Sequence, residues 1–321
     1  MIDLAEIRAA AERIAAEAVV TPVIRSDELD ELTGADVFSK DESRQRAGAF
    51  KFRGAFNRLS LIPPADRRRG VVAVSSGNHG AAVACAAHLL DLPATVHVPE
   101  DVPTAKRTLI EHYGAEIVTF PRSTPDREAG ARRQVAETGA TFVHPFDDPT
   151  VMAGQGTVAL ELHEQIGGLD VLLVPVSGGG LMAGCASAMH QLDPACTLIG
   201  VEPAAADDTR RSLLVGHPVR IAPPQTIADG LAVTAPGDNT FAINQRLVSD
   251  VVTVTDGQLI DAMHLARDVL GRRLEPSGVA GLAALLDDPD RFRGRRVGIV
   301  LSGGNIDDVR FDELSRRPER D

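Results

Sequence analysis

The run Val171-Leu172-Leu173-Val174-Pro175-Val176-Ser177-Gly178-Gly179-Gly180 joins an apolar, β-branched segment to a loop of small residues. A continuous apolar run of this length is typical of a strand that is buried on both faces of a parallel sheet. The same pattern recurs at 71–80, which ends in Ser75-Ser76-Gly77-Asn78-His79-Gly80, and at 297–305, which ends in Ser302-Gly303-Gly304-Asn305. Ligands of open α/β sheets bind beyond the carboxyl ends of strands, so we predict that these three loops meet at one ligand.

The rest of the chain alternates further apolar runs with helical patterns, such as the amphipathic pattern at 4–19. This alternation predicts an α/β fold with parallel sheets flanked by helices. Apolar residues make up 44% of the chain, enough to give one large or two medium domains a buried core. Because proline-containing segments at 61–66 and 144–149 are typical of domain crossings, we expect a small domain at 70–147 and a large domain at 1–69 and 148–321.

Composition excludes several classes of partner. The formal net charge of −12 argues against nucleic acid and anionic lipid, because both bind basic surfaces. No apolar run is long enough to cross a bilayer, and the acidic N-terminal segment lacks the features of a signal peptide. The three cysteines are too scattered for a disulfide framework or a zinc site. We therefore expect a cytoplasmic protein that acts on a small molecule, with no nucleic acid and no membrane as partner.

Lysine is rare in this chain, since only three of its 33 basic residues are lysines: Lys40, Lys51 and Lys106. Arginine cannot replace an amine that acts as a nucleophile, so a retained lysine is a candidate for chemistry. Lys51 is flanked by apolar residues and followed by Arg53, and both desolvation and nearby positive charge lower the pKa of a lysine. Lys40 and Lys106 have more polar neighbours and are interpreted as ordinary surface charges.

The loop Ser177-Gly178-Gly179-Gly180 is predicted to bind a phosphate group. Glycines let backbone N–H groups approach an anion closely, and the following helix adds the favourable dipole of its N-terminus. The loop has neither the GK[ST] of a Walker motif nor the GxGxxG of a dinucleotide site. From the loop alone, a flexible turn is the alternative interpretation.

Four motifs together resemble the serine racemase and serine/threonine dehydratase family: Phe50-Lys51-Phe52-Arg53-Gly54-Ala55, the loop at 75–80, the triglycine loop and Ser302-Gly303-Gly304-Asn305. The likeness covers nearly the whole chain, with the motifs in the family's order and spacing. It implies a two-domain fold-type II pyridoxal-phosphate enzyme, similar to the β subunit of tryptophan synthase. It also implies a homodimer that acts on a small amino acid.

The resemblance implies roles for individual residues. Lys51 would carry pyridoxal phosphate as a Schiff base and remove the α-proton of the substrate, and Asn78 would donate to the 3′-oxygen of the cofactor ring. All the cofactor-binding residues would be Phe50, Lys51, Asn78, Ser177, Gly178, Gly179, Gly180, Leu181 and Ser302. The substrate would be bound by Ser75, Ser76, Asn78, His79, Arg127 and Thr234.

Some of these residues have a second interpretation. In racemases of the family, the residue that matches Ser76 is catalytic and reprotonates the substrate from the face opposite the lysine. His79 could instead be a core histidine bonded to the backbone, and Arg127 an exposed helix charge. Ala49 and Ser177 depart from a serine and a glycine that are common in the family.

The segment Glu202-Pro203-Ala204-Ala205-Ala206-Asp207-Asp208 resembles the divalent-cation loop of the same family. The resemblance implies that Glu202, Asp208 and the carbonyl of Ala206 bind Mg²⁺, Mn²⁺ or Ca²⁺, which prefer oxygen ligands. By spacing alone, an acidic surface loop is the alternative.

The leading functional hypothesis is β-elimination of L-threonine or L-serine to a 2-oxo acid and ammonia. One alternative is racemisation of serine through Lys51 and Ser76. Another is dehydration of 3-hydroxyaspartate, whose second carboxylate Arg127 could bind. The stretch His144-Pro145-Phe146-Asp147-Asp148-Pro149 resembles the dehydratase branch and weakens the racemase hypothesis. A non-catalytic ligand-binding protein on the same scaffold is the alternative from another class.

Overall fold

A computed structural model describes residues 1–75, 77–121, 124 and 126–315 of the chain. The strands are β1 (Val23–Ile24), β2 (Asp36–Asp41), β3 (Val71–Val74), β4 (Ala94–Pro99), β5 (Glu116–Phe120), β6 (Thr141–Phe142), β7 (Val171–Pro175), β8 (Thr197–Pro203), β9 (Asp250–Val254) and β10 (Arg296–Leu301). The helices are α1 (Leu4–Ile14), α2 (Asp27–Thr33), α3 (Lys51–Ser60), α4 (Asn78–Leu89), α5 (Thr104–His112), α6 (Ala129–Thr138), α7 (Pro149–Ile166), α8 (Gly180–Leu192), α9 (Asp208–Val215), α10 (Asp238–Leu247), α11 (Asp256–Asp268), α12 (Ala280–Asp287) and α13 (Asp308–Ser315).

The larger sheet has six strands in the order β1-β2-β10-β7-β8-β9, and every pair in it except β1 with β2 is parallel. All five residues of β7 are buried, as are the last five of β10, because helices cover both faces of the sheet. Since β7 and β10 are parallel neighbours, the loops that follow them leave the same edge of the sheet. This arrangement confirms the predicted parallel α/β fold and brings two of the three loops together.

The smaller sheet has four parallel strands in the order β5-β4-β3-β6, all within 70–147. Helix α3 precedes this segment, yet its Phe52, Phe56 and Leu59 belong to the hydrophobic core of the smaller sheet. The apolar face of α3 thus packs across the predicted boundary at residue 69. The limits of the two domains stay a prediction.

The crossing between the two sheets ends where α7 begins. The carboxylate of Asp148 accepts hydrogen bonds from the backbone N–H groups of Thr150 and Val151, at 2.7 and 3.2 Å, and Pro149 occupies the first helical turn. Both features favour a helix start at this point. The segment before this cap lies beside α3 and the triglycine loop, since Pro145 accepts a hydrogen bond from Lys51 and Phe146 packs against Gly178.

Among the described residues, no helix has both the length and the apolar character that crossing a membrane requires.

Candidate active site

Lys51 is the first residue of α3, and its amine donates a hydrogen bond to the carbonyl of Pro145 at 2.7 Å. Burial lowers the pKa of Lys51 to about 8. The expected electrostatic contribution of Arg53 is absent, because its guanidinium is bound by the carboxylates of Glu42 and Glu161. Desolvation alone therefore prepares this amine to react as a neutral nucleophile.

The lowered pKa predicts how the reactivity of Lys51 depends on pH. At pH 8 roughly half of the Lys51 amines are neutral, against about one in 300 for an amine with the ordinary pKa of 10.5. We expect the rate of reductive alkylation of cofactor-free protein by a small aldehyde to rise through pH 8 and then level off. Peptide mass spectrometry measures the modification of each lysine. A Lys51 rate that still rises at pH 10 would contradict the assignment.

The loop after β10 is hydrogen-bonded to the segment that leads into α3. The backbone N–H of Phe50 donates to the carbonyl of Ser302 at 3.1 Å, and that of Gly304 donates to the carbonyl of Gly48 at 2.9 Å. The side-chain amide of Asn305 donates to the carbonyl of Ala47 at 2.6 Å. These bonds place Ser302 next to the lysine segment, although the two are far apart in sequence.

The loop at 75–80 joins the same cluster through Asn78, the first residue of α4. Asn78 Oδ1 accepts a hydrogen bond from Asn305 Nδ2 at 3.0 Å, and Asn78 Nδ2 donates to Glu275 Oε1. The hydroxyl of Ser75 lies 3.0 Å from both the backbone N–H and the carbonyl of Gly77, so it is engaged within its own loop. Ser76 lies outside the described residues.

His79 is buried, and its Nε2 lies 2.9 Å from the carbonyl of Val143. A carbonyl only accepts, so Nε2 carries the proton and Nδ1 is an acceptor, with no partner within the described residues. Burial lowers the pKa of His79 to about 3, and the positive charge of Lys51 acts in the same direction. His79 is thus a neutral histidine held by the backbone, and its Nδ1 can accept a hydrogen bond rather than donate one to a carboxylate.

The triglycine loop stands between β7 and α8, at the N-terminus of the helix. Two of its carbonyls are held by side chains of α10: Thr240 Oγ1 donates to Gly178 at 2.6 Å and Asn244 Nδ2 donates to Gly179 at 3.3 Å. Gly179 has a φ of +94°, which a side chain would strain. The N–H groups of a first helical turn have no intrahelical acceptor, so the start of α8 suits an anion.

Phe146 packs against this loop, and the residue before it contacts Lys51. A Cβ added to Gly178 would lie 2.3 Å from the Phe146 ring, so the absence of a side chain is what lets the ring rest against the loop. The neighbouring residue, Pro145, accepts the hydrogen bond of Lys51. Ser177, Gly180 and Leu181 lie in or directly after the same turn, and Leu181 is buried.

The other residues predicted to bind ligands, namely Ser302, Arg127 and Thr234, have few or no described side-chain contacts with the Lys51 cluster. The hydroxyl of Ser302 donates to the carbonyl of Ser277 at 3.3 Å. Arg127 is exposed, in the turn before α6. The described hydrogen bonds of Thr234 run to Arg220 and Ile221, and not to the Lys51 cluster.

Glu202 and Asp208 lie together, at the end of β8 and the start of α9, and both are buried. Burial and the charge of Asp208 raise the pKa of Glu202 to about 8, and burial raises that of Asp208 to about 7. Both carboxylate oxygens of Asp208 lack a hydrogen-bond partner within the described residues. Two neighbouring buried carboxylates, one of them without a hydrogen-bond partner in the described residues, fit a divalent cation. In the described part of the chain no group of three His, Cys, Asp or Glu side chains could hold a metal, so other oxygens would complete its shell.

Two lysines were wrongly predicted to be surface charges, and one buried carboxylate was not predicted to belong to the site. Lys40 and Lys106 are not surface charges: their side chains are 0% and 2% exposed, and both are ion-paired. Glu275 is equally buried and contacts Asn78. Its only sequence signal is an acidic residue directly before Pro276-Ser277-Gly278.

Comparisons with known proteins show the family of the chain. The family model described as "Pyridoxal-phosphate dependent enzyme" matches residues 14–303. The chain is 47% identical over 305 residues to the L-threo-3-hydroxyaspartate ammonia-lyase of Pseudomonas sp, with 95% of this chain and 96% of the relative covered. It is 40% identical to the serine racemase of Schizosaccharomyces pombe, with 95% of each chain covered. The solved structure of maize serine racemase matches with a TM-score of 0.94 at 39% identity, over 97% of this chain and 96% of that one.

The described residues also fit the chemistry of pyridoxal phosphate. Lys51 offers a desolvated amine for the cofactor's aldehyde, and the glycines at the start of α8 offer backbone donors for its phosphate. Asn78 and Ser302 supply polar side chains beside the lysine segment. The chain belongs to the family of pyridoxal-phosphate-dependent enzymes, among ammonia-lyases and amino acid racemases.

Proposed function

We propose that the protein catalyses a β-elimination on a small hydroxy amino acid and that its preferred substrate is 3-hydroxyaspartate. The observation that carries the chemistry at the α-carbon is the Lys51 amine, which donates to the carbonyl of Pro145 at 2.7 Å and has a pKa lowered by burial to about 8. The choice of substrate is supported by the relative at 47% identity and by a second L-threo-3-hydroxyaspartate ammonia-lyase, from Saccharomyces cerevisiae, at 45%. L-Threonine and L-serine, which led the sequence-based hypothesis, become the alternatives.

Lys51, the triglycine loop and Asn78 have distinct parts in this reaction. Bound pyridoxal phosphate supplies an electron sink for negative charge at the substrate's α-carbon. Lys51, as a neutral amine, takes the α-proton, and a pKa near the working pH suits a group that both accepts and returns a proton. The triglycine loop would hold the phosphate, and Asn78 would orient the ring. The β-hydroxyl leaves as water, and hydrolysis of the unsaturated product yields a 2-oxo acid and ammonia.

Arg127 is proposed to bind the second carboxylate of 3-hydroxyaspartate. This is supported by the adjacent residue: the carboxylate of Glu128 lies 3.9 Å from the Nε2 of His144, which is two residues from Phe146 in sequence. Loss of a charged hydrogen bond costs about 1.5–3 kcal/mol, which is a roughly 10- to 150-fold effect. We expect Arg127→Ala to lower kcat/KM for L-threo-3-hydroxyaspartate by that factor and to change kcat/KM for L-serine little.

The matched control is Arg133→Ala, which removes another exposed arginine from the neighbouring helix α6. It should leave both substrates unaffected. If Arg127→Ala lowers kcat/KM equally for both substrates, or for neither, Arg127 does not select the second carboxylate.

Racemisation of serine is the second candidate. It is supported by the relatives named serine racemase and by the presence of Ser76, the residue proposed to act from the face opposite Lys51. Ser76→Ala would then abolish the exchange of serine enantiomers while sparing part of the elimination. Chiral chromatography of the remaining substrate makes this comparison.

We also propose that Glu202, Asp208 and the carbonyl of Ala206 bind a divalent cation, namely Mg²⁺, Mn²⁺ or Ca²⁺. At a cation concentration 100 times its Kd, binding stabilises a fold by about 2.7 kcal/mol. We expect chelation to lower Tm by several degrees and added Mg²⁺ to restore it. The variant Asp208→Asn should have the same Tm with and without the chelator. A wild-type Tm that changes with neither the chelator nor added cation would refute the site.

A further inference from the structure

Lys106 lies between the two sheets. It is the third residue of α5, and its side chain is 2% exposed. Its Nζ lies 2.6 Å from Asp229 Oδ2 and 3.1 Å from Glu275 Oε2. Neighbours of both carboxylates, Leu231 and Leu274, belong to the core of the six-stranded sheet. The ion pairs therefore fasten a helix of the smaller sheet to segments that pack on the larger one.

The charge of Lys106 is set by these two partners. Burial alone would lower the pKa of Lys106, but the negative charges of Glu275 and Asp229 outweigh burial and raise it above the ordinary value. Burial raises the pKa of Glu275, against the opposing charge of Lys106. The short distances on both sides fit an ammonium between carboxylates, so Lys106 is positively charged at neutral pH. Without it, the buried carboxylate of Glu275 would face that of the half-buried Asp229 with no positive charge between them.

Glu275 contacts Asn78 as well as Lys106. Oε2 of Glu275 faces Lys106, while Oε1 accepts a hydrogen bond from Asn78 Nδ2. The other end of the amide, Oδ1, accepts from Asn305 Nδ2 at 3.0 Å. An amide engaged at both ends has one orientation, and its second N–H remains available to another acceptor. The orientation of Asn78 thus depends on a Glu275 carboxylate that Lys106 holds in place.

Lys106 also supports the backbone at the start of α4. A Cβ added to Gly77 would lie 3.3 Å from Lys106 Nζ, and one added to Gly80 would lie 3.1 Å from the Cδ1 of Ile110, which is in the same helix α5. Gly77 and Gly80 therefore lie directly against α5. A displaced Lys106 would move both glycines and the amide of Asn78, which lies between them in sequence.

We propose that Lys106 is a positioning residue, which holds Asn78 and Gly77 in the arrangement that receives the cofactor and the amino acid. It acts through Glu275 and Gly77 rather than on the reacting atoms. The inference rests on the proposed function, because Asn78 is taken to contact the cofactor ring.

The test compares Lys106→Met with Lys40→Met. Lys40 is the matched control, since it is also a buried lysine, with Nζ 2.6 Å from Glu161 Oε1, but it belongs to a different charge cluster. We expect Lys106→Met to weaken pyridoxal phosphate binding about tenfold, the value of one net hydrogen bond, and to change the visible absorption spectrum of the loaded protein. We expect Lys40→Met to lower Tm while cofactor affinity and spectrum stay as in the wild type.

Wild-type affinity and spectrum in folded Lys106→Met would overturn the inference. If that variant does not fold, Glu275→Gln carries the test, because it keeps the side chain's shape and leaves Lys106 paired with Asp229. It should show the same change of spectrum, and an unchanged spectrum overturns the inference. A wild-type protein that binds no pyridoxal phosphate would instead contradict the proposed function, so the two failures can be told apart.

Discussion

Replacing Lys51 with alanine is expected to abolish covalent attachment of the cofactor and to lower kcat by about a thousandfold or more, since proton transfer by a positioned group contributes about 10²–10⁴-fold. Lys51 supplies both the amine that bonds to the cofactor's aldehyde and the base that takes the α-proton. No other lysine can replace it, because Lys40 and Lys106 are held in ion pairs. Borohydride reduction followed by mass spectrometry measures attachment, and release of 2-oxo acid measures turnover.

Lys51→Arg is the control for this prediction. It keeps a positive charge at the start of α3 but has no amine that can bond to an aldehyde. We expect it to be as inactive as Lys51→Ala, and we expect added methylamine to restore part of the activity of the alanine variant only. Normal turnover by either variant would show that Lys51 is not the reactive amine.

Replacing Arg53 with methionine is expected to lower the free energy of unfolding by about 3–5 kcal/mol, because it leaves a buried carboxylate without its partner. Arg53 is 1% exposed and Glu42 is 0% exposed, and they share two hydrogen bonds of 2.8 Å. Arg53 Nη1 also lies 2.9 Å from Glu161 Oε2. Urea unfolding of the cofactor-free protein measures the change, seen as a lower midpoint with an unchanged slope.

Arg58→Met serves as the matched control in the same helix. The side chain of Arg58 is 25% exposed and its Nε lies 3.1 Å from Asp148 Oδ2, an arrangement that stabilises a protein by at most about 1 kcal/mol. Similar losses of stability in the two variants would contradict the view that the Arg53 cluster is a buried, mutually dependent set of charges.

The sheets and the converging loops could be predicted because their signals are local. A continuous apolar run predicts a strand buried on both faces, and β3, β7 and β10 each end where a Ser/Gly loop begins. Parallel pairing then brings the loops after β7 and β10 to one edge of the larger sheet, whereas β3 lies in the smaller sheet and its loop meets them through Asn78. The end of α1 was not predictable in the same way. The helical pattern runs to Val19, but the helix ends at Ile14, and both backbone polar groups of Val19 are bound by the Gln45 side chain.

The supporting contacts of the site were not predictable, because they join residues that are distant in sequence. Asn78 and Glu275 are 197 positions apart, and nothing near either residue indicates the other. A lysine among polar neighbours is usually a surface charge, and the burial of Lys106 follows only from its contacts with Asp229 and Glu275, which are distant in sequence. His79 was predicted to bind the substrate, and only the carbonyl of Val143 determines which ring nitrogen carries the proton. The homodimer and the cytoplasmic location stay predictions.

The central claim is tested most directly by incubating the cofactor-loaded protein with L-threo-3-hydroxyaspartate and following oxaloacetate, ammonia and the stereochemistry of the remaining substrate together. We predict oxaloacetate and ammonia in equal amounts, faster than the corresponding products from L-serine or L-threonine, with the remaining substrate still in its original configuration. Inverted substrate that accumulates faster than ammonia, or an absence of both products, would contradict the account.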